Sequence, residues 1–322
     1  MGNAVSYAAE RMPLFDAARV ALRTWPGSAA VIDRLRSHLT TVALDPSIAA
    51  VAVCGSLARM EYSAASDLDL LVILKDDAYH DGDAADSAYE SVWKVIAAES
   101  PRRPRPGGTF ARPISTKALA DLSQLGAATE QWDAFGKRIN LLLASQPIYG
   151  AAHFERVLAS VAEAYATAGS QCGDAMKWSV LGHDVARHFH CVAANRCRKM
   201  FAQDPPDIAS YVKFRFSVTL AHEAFLLLLH DIASRPHPDV PQLLAALRLT
   251  PMERVGHVCG LHNDRGIESI ASCYREFLDW SGERGAGREL ATGGDRELAS
   301  LMRRATQMRE ELERLLMLQR CS

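Results

Sequence analysis

Residues 51–74 read V-A-V-C-G-S-L-A-R-M-E-Y-S-A-A-S-D-L-D-L-L-V-I-L. An apolar run stops at Gly55-Ser56, a short polar segment follows, and Asp67-Leu68-Asp69 opens a second run of strand-formers from Leu70 to Leu74. In an extended strand the side chains alternate between faces, so Asp67 and Asp69 fall on one side and Leu68 and Leu70 on the other. Two carboxylates on one face make a hard-oxygen site suited to Mg2+ or Mn2+, ions that share such ligands with substrate phosphates. Gly55 lets the backbone approach a ligand closely, and Ser56 is placed to cap a helix whose first N–H groups point at phosphate oxygens. A surface turn with two solvated aspartates would leave unexplained why two acids open so apolar a strand.

This pattern resembles the nucleotidyltransferase superfamily with the DNA polymerase β-like catalytic fold, whose signature is an apolar strand, Gly-Ser, a short helix, and D-x-D or D-x-E on the next strand. Ala58-Arg59 and Ser66-Asp67 are similar to the bacterial small-nucleotidyltransferase version, G-S-x-A-R-x-E followed by S-D-x-D. Further on, K-R-I-N-L-L-L-A-S-Q-P-I-Y (residues 137–149) resembles the R-x-L-L-L-E-S-x-P-L-Y segment of bacterial nucleotidyltransferases with an all-helical C-terminal half, and Arg138 falls on its basic position. The resemblance covers about residues 50–150 and extends loosely towards residue 230.

The resemblance implies an α/β (α+β) nucleotidyltransferase domain with a small mixed sheet over residues 1–150, followed by an all-α helical bundle over residues 151–322 that closes over nucleotide and acceptor. It implies that Asp67 and Asp69 are catalytic and hold the metal, and that Gly55, Ser56, Arg59 and Ser66 bind the nucleoside triphosphate. The NMP group would pass to a hydroxyl or amine of an acceptor, and pyrophosphate would leave. Most catalytic members carry a third carboxylate on the third strand. The segment expected to form that strand, residues 109–114 (T-F-A-R-P-I), has no acid, so the nearest candidates are Asp121 and Glu130, with Glu130 taken as the third catalytic group.

The chain has 322 residues, 48% of them hydrophobic, enough for a sizeable core in one large or two ordinary domains. Its formal charge of −2 offers no global basic field for nucleic acid. Of 36 basic residues seven are Lys, and this Arg-rich, Ala-rich usage suggests a bacterial, GC-rich origin. Seven cysteines without a C-x-x-C fit a reduced cytoplasm. Neither a signal sequence nor a membrane-spanning run is expected, since no apolar stretch approaches ~20 residues.

The first 44 residues read as mostly helical, with one apolar face over residues 12–22 and a second helix over residues 28–39. Residues 75–86 read as a solvated loop, residues 87–100 as a helix, and the P-R-R-P-R-P-G-G segment (residues 101–108) as a mobile loop with arginines suited to phosphate. A helix follows from Asp133, and residues 146–150 (Q-P-I-Y-G) read as the domain boundary. Beyond it, residues 154–167, 174–201, 208–232, 240–247 and 296–319 carry helical patterns. Lys213, Arg215 and Ser217 interrupt an apolar helix where the similar proteins have K-x-R-x-S, and Lys213 is the residue expected to contact phosphate. His183, Asp184 and Arg187 read as ordinary polar residues, although they could line the cleft.

Three further readings stay open. Leu229-His230-Asp231 resembles the centre of the metal-dependent HD phosphohydrolases, but it lacks the glycine and lysine that often follow. The acceptor is expected to be a small molecule, with a protein or tRNA as alternatives. With no acid on the third strand, a catalytically degenerate, nucleotide-binding regulatory protein is the alternative from another class.

Overall fold

The computed structural model describes residues 25–63, 66–76, 82–97, 103, 107–171, 173, 176–202, 206–235, 237–261, 264–285 and 294–321. The helical face expected over residues 12–22 lies outside them, as does most of the P-R-R-P-R-P-G-G segment.

Strand β1 (Ile48–Cys54) is almost wholly apolar because it is a central strand, buried against neighbours on both faces. It pairs antiparallel with β2 (Leu70–Leu74) on one side and with β4 (Ser145–Tyr149) on the other. β3, only Ile114–Ser115, adds parallel to β2, which gives a mixed four-stranded sheet in the order β3-β2-β1-β4. Helix α1 (Trp25–Thr41) packs on β4 and on α3 (Gly82–Ile96), and α6 (Ala151–Ser170) packs on β1. The four-residue α2 (Gly55–Ala58) leaves the end of β1, α4 (Thr116–Leu119) follows β3, and α5 (Trp132–Leu143) precedes β4. In the β1/β2 ladder Val53 faces Leu70, and one step further the Cys54 N–H donates to the Asp69 carbonyl at 2.9 Å. That register sets the Gly55 turn beside Asp69.

The third strand is shorter than the 109–114 expected. Gly107 to Arg112 form turns and bends, and pairing begins only at Ile114, where Pro113 no longer interferes. Gln146-Pro147-Ile148-Tyr149, expected to punctuate a domain boundary, is instead the edge strand β4, a position where a sheet tolerates proline. The chain separates into two compact units, and the break follows Asp184, inside helix α7 (Ser179–Phe201). The anticipated boundary at residue 150 therefore falls inside the sheet-bearing unit, which also contains α6.

The described elements of the other unit are all helical: the second part of α7, α8 (Ile208–Lys213), a π-helical turn (Phe214–Val218), α9 (Thr219–Ala233), α10 (Val240–Leu247), α11 (Pro251–Leu261), α12 (Gly266–Gly285) and α13 (Gly294–Cys321). Residues 251–261 and 266–285 had no clear helical pattern. The start of α11 is nevertheless a capping box, in which the Thr250 N–H donates to the Glu253 carboxylate and the Glu253 N–H to Thr250 Oγ1. The run Ile208–Ala233 is long and apolar enough to cross a bilayer by length and composition, contrary to expectation, but 67% of its window is buried. It serves as a core helix of this unit, packed against α11 and α13.

At the core of the helical unit His188 and His222 stack, with His188 Nδ1 2.9 Å from His222 Nε2. His222 Nδ1 lies 2.7 Å from the Val218 carbonyl and so carries a proton, which makes its Nε2 the acceptor of the His188 Nδ1–H. Burial, and then the neighbouring His222, pull the His188 pKa down to about 3. In the unfolded chain the same group titrates near ~6.5. Between these values the unfolded state binds a proton that the folded state refuses, so stability is lost as pH falls through this window, at up to ~1.4 kcal/mol per pH unit. Urea unfolding at pH 7, 5.5 and 4.5 should show this loss, and His188→Gln should flatten it.

Candidate functional site

The site is built where β1 hands over to β2. Gly55 has φ +62, and a Cβ placed on it would stand 2.2 Å from Asp69 Oδ2. Glycine is therefore required twice, for the left-handed backbone and for the carboxylate that rests on it. Gly55 was expected to let a ligand approach the backbone, and in the structure the group that approaches is the Asp69 carboxylate. Leu68 and Leu70 are buried while Asp67 is exposed and Asp69 half-buried, so the predicted alternation holds although regular pairing begins only at Leu70. Ser66 is half-buried beside them in the sequence.

Ser56 is not the helix cap expected of it. Cys54 occupies the N-cap position without a side-chain hydrogen bond, and Ser56 lies buried inside the four-residue α2. Burial pushes the Cys54 thiol well above its ordinary pKa, Asp69 raises it further, and Arg59 opposes both. This strand end thus feels both the aspartate and the arginine. Arg59 itself is buried, with its Nε 3.1 Å from each oxygen of Glu61.

Towards the third strand, the Tyr89 hydroxyl donates to the Phe110 carbonyl at 2.5 Å, and burial is the main cause of a raised Tyr89 pKa, to which Asp69 adds. Gly136 of α5 fits against Thr109, since a Cβ there would lie 2.9 Å from Thr109 Cγ2. One residue on, Lys137 is fully buried with its Nζ on the Asp133 carboxylate; burial lowers its pKa and Asp133 counteracts this. The segment from Gly107 to Ser115 holds no acid that could complete the pair Asp67 and Asp69. Among the described residues no group of three or more His, Cys, Asp or Glu is placed to hold a metal ion.

The two substitutes for a third acid are engaged elsewhere. Glu130 is 2% exposed with both oxygens on the Arg138 guanidinium, which also donates to the Tyr165 hydroxyl at 3.1 Å. Glu130, expected as the third catalytic group, is held in a buried ion pair with Arg138. Asp121 accepts from the backbone and hydroxyl of Ser123, which closes a local turn. Arg103 is held by Glu90 at 2.8 Å and lies over the Trp93 ring.

Lys213 is the half-buried last residue of α8, in the helical unit, at the entrance to the π-helical turn. Within this turn Arg215 donates to Tyr211 and Thr306, and Ser217 is buried. Asp184 is buried in the sheet unit, where it accepts from the Tyr165 hydroxyl and the Gly126 N–H. The HD-like pair is occupied within its own helix: Asp231 binds Arg235, and Ser234 lies beside His230. Of the expected residues, the sheet unit brings together Gly55, Ser56, Arg59 and Asp69, with Asp67 exposed at the same strand entrance. Glu61 had been read only as a letter in G-S-x-A-R-x-E, and its pairing with Arg59 was not foreseen.

Residues 35–104 match the family model of the nucleotidyltransferase domain, consistent with the minimal, polymerase β-like superfamily. The match spans the last seven residues of α1, then β1, the Gly55 turn, both aspartates, β2 and α3. No curated protein matches the chain significantly. Residues 35–104 are thus similar to nucleotidyltransferase domains, and the activity that this similarity supports is nucleotidyl transfer.

Glu130→Gln should cost roughly 3–5 kcal/mol of stability by stranding the buried Arg138. Asp67→Asn, at an exposed position, should cost less than about 0.5 kcal/mol. Chemical denaturation of both variants checks the contrast.

Proposed function

We propose that the protein is a metal-dependent nucleotidyltransferase that moves an NMP group from a nucleoside triphosphate to an acceptor and releases pyrophosphate. The observation that carries this reading is the seat of the Asp69 carboxylate on the Gly55 turn, with Asp67 exposed two residues earlier. Two carboxylates are a fitting donor set for Mg2+ or Mn2+, with phosphate oxygens and water completing the shell. Such an ion, when bound, neutralises charge on the triphosphate and on the leaving pyrophosphate. Asp67 and Asp69 would hold it, while Gly55, Ser56 and Ser66 would line the approach of the phosphates. The acceptor oxygen or nitrogen attacks the α-phosphorus, the bond to the β-phosphate oxygen breaks, and the acceptor loses its proton to solvent or to a phosphate oxygen.

The most fitting acceptor is a small molecule, because the net charge of −2 gives no general attraction for nucleic acid. A protein or tRNA acceptor is the alternative within this activity. We place the protein in a bacterial cytoplasm, a reading supported by the free thiols of Cys54, Cys191, Cys197, Cys259 and Cys273. One observation favours a second reading, a nucleotide-binding regulator without turnover: the third-strand segment has no acid, and Glu130 is neutralised by Arg138.

Calorimetric titration with ATP, GTP, CTP and UTP in the presence of Mg2+ tests the proposal. One nucleotide should bind in a metal-dependent manner, and Asp67→Ala/Asp69→Ala should abolish this without lowering the melting temperature. Binding that survives the double substitution would refute the site. Pyrophosphate release separates the transferase from the regulator.

A further inference from the structure

Every residue from Gly55 to Glu61 is buried, and the turn they form is closed by its own backbone. The Arg59 N–H donates to the Gly55 carbonyl at 3.2 Å, the Met60 N–H to Leu57 at 3.1 Å, and the Glu61 N–H to Ser56 at 2.9 Å. Met60 takes φ +63, a left-handed conformation that costs a residue with a side chain ~1 kcal/mol or more. This reversal lets the side chains on either side of Met60 meet, so that Arg59 Nε lies between the two Glu61 oxygens, 3.1 Å from each. The two side chains are 9% and 4% exposed. Among the bonds that tie the turn to the rest of the unit, Gln146 Nε2 of β4 donates to the Ala58 carbonyl at 3.0 Å, and the Tyr62 N–H donates to Ser28 Oγ of α1 at 3.1 Å.

A buried ion pair is on average no more stabilising than an apolar pair of the same volume. A left-handed methionine adds a further cost. Stability alone therefore does not account for this arrangement beside Gly55, whereas orientation does. Gly55 is the seat of Asp69, and the carbonyls of Gly55 and Ser56 are fixed by the N–H groups of Arg59 and Glu61. We infer that the Arg59–Glu61 ion pair is a positioning element of the transferase site: it locks the Gly55-Ser56 backbone, and through Gly55 the Asp69 carboxylate, in the geometry that receives a metal–triphosphate. This inference rests on the nucleotidyl-transfer reading of the same site. It gives Arg59 a task behind the turn, in place of direct contact with the nucleotide.

The consequence is selective. Removing the pair should weaken binding of the triphosphate with its metal, and should leave binding of the nucleoside part nearly unchanged. The test is calorimetric titration of the full chain with the Mg2+ complexes of the four nucleoside triphosphates and with the four monophosphates. The variants are Glu61→Gln, Arg59→Lys and the apolar replacement Arg59→Met/Glu61→Met, which guards against a buried, unpaired charge that unfolds the protein.

For Glu61→Gln and the double variant the triphosphate affinity should fall about 10- to 100-fold, the usual range for losing a group that orients a metal ligand. Monophosphate affinity should stay within about twofold, and Arg59→Lys, which keeps a charge for Glu61, should fall between wild type and Glu61→Gln. The inference is overturned if the folded double variant binds the triphosphates as wild type does. An equal loss for triphosphate and monophosphate also overturns it, because that reports general loosening. If wild type binds no triphosphate, or binds one independently of Asp67 and Asp69, the transferase reading itself fails and the inference falls with it.

Discussion

The contact on which the site depends is the one between Asp69 and a glycine that has no side chain to oppose it. With Asp69 Oδ2 2.2 Å from where a Gly55 Cβ would stand, neither residue can be described without the other. The sheet enforces the meeting. Antiparallel pairing sets Val53 opposite Leu70, and the Cys54 N–H continues the ladder to the Asp69 carbonyl. A register slip of one residue would send Asp69 to the other face and bring Leu68 or Leu70 to the turn. β2 is buried along its whole length and β1 at every residue but Ala49, so the strands are apolar on both faces and the register is expressed at their ends, where Gly55 meets Asp69.

Among the described residues of the sheet unit three basic side chains are buried, and each has a carboxylate: Arg59 with Glu61, Lys137 with Asp133, Arg138 with Glu130. Taking a charge from water costs several kcal/mol unless it is paired, so the partners are obligatory. Glu130, one of the two acids considered for the third catalytic position, is thus held by Arg138, while Asp121 closes a local turn with Ser123. Arg138 shows how far this goes: its guanidinium reaches Glu130, Tyr165 and the Leu119 carbonyl, and Tyr165 passes the connection to Asp184. A network of this kind fixes one packing of α5 against its neighbours, a gain in specificity more than in stability.

What was legible in the sequence follows from signal length. β1 and β2 announced themselves by long apolar runs; β1 is Ile48–Cys54, whereas β2 pairs regularly only over Leu70–Leu74, after the two aspartates expected to open it. The two-residue β3 and the proline-bearing β4 carry too few residues for any period to show, and they exist because β2 and β1 offer edges to pair with. Both aspartates and Gly55 were legible because chemistry restricts which residues can stand there. The fate of Glu130 was not, since a carboxylate looks the same in sequence whether it faces solvent or a buried arginine. Likewise, spacing alone could not foresee that Arg59 and Glu61, two residues apart, would meet, because this requires a left-handed Met60 between them.

On the proposed reading, nucleotidyl transfer divides into two tasks. Holding a metal–triphosphate would require charge at a fixed place, and the Gly55 turn, the β1/β2 register and the buried Arg59–Glu61 pair lie together at the two aspartates. Removing the acceptor's proton requires a base with a low-cost path to the nucleophile, and the segment from Gly107 to Ser115 provides no carboxylate for it. Catalysis by positioning and electrostatic stabilisation of the leaving pyrophosphate does not depend on that base. On the proposed reading, a transfer without a carboxylate base in this segment would favour an acceptor that ionises readily, whereas an ordinary alcohol would bear the full cost of leaving its proton to solvent.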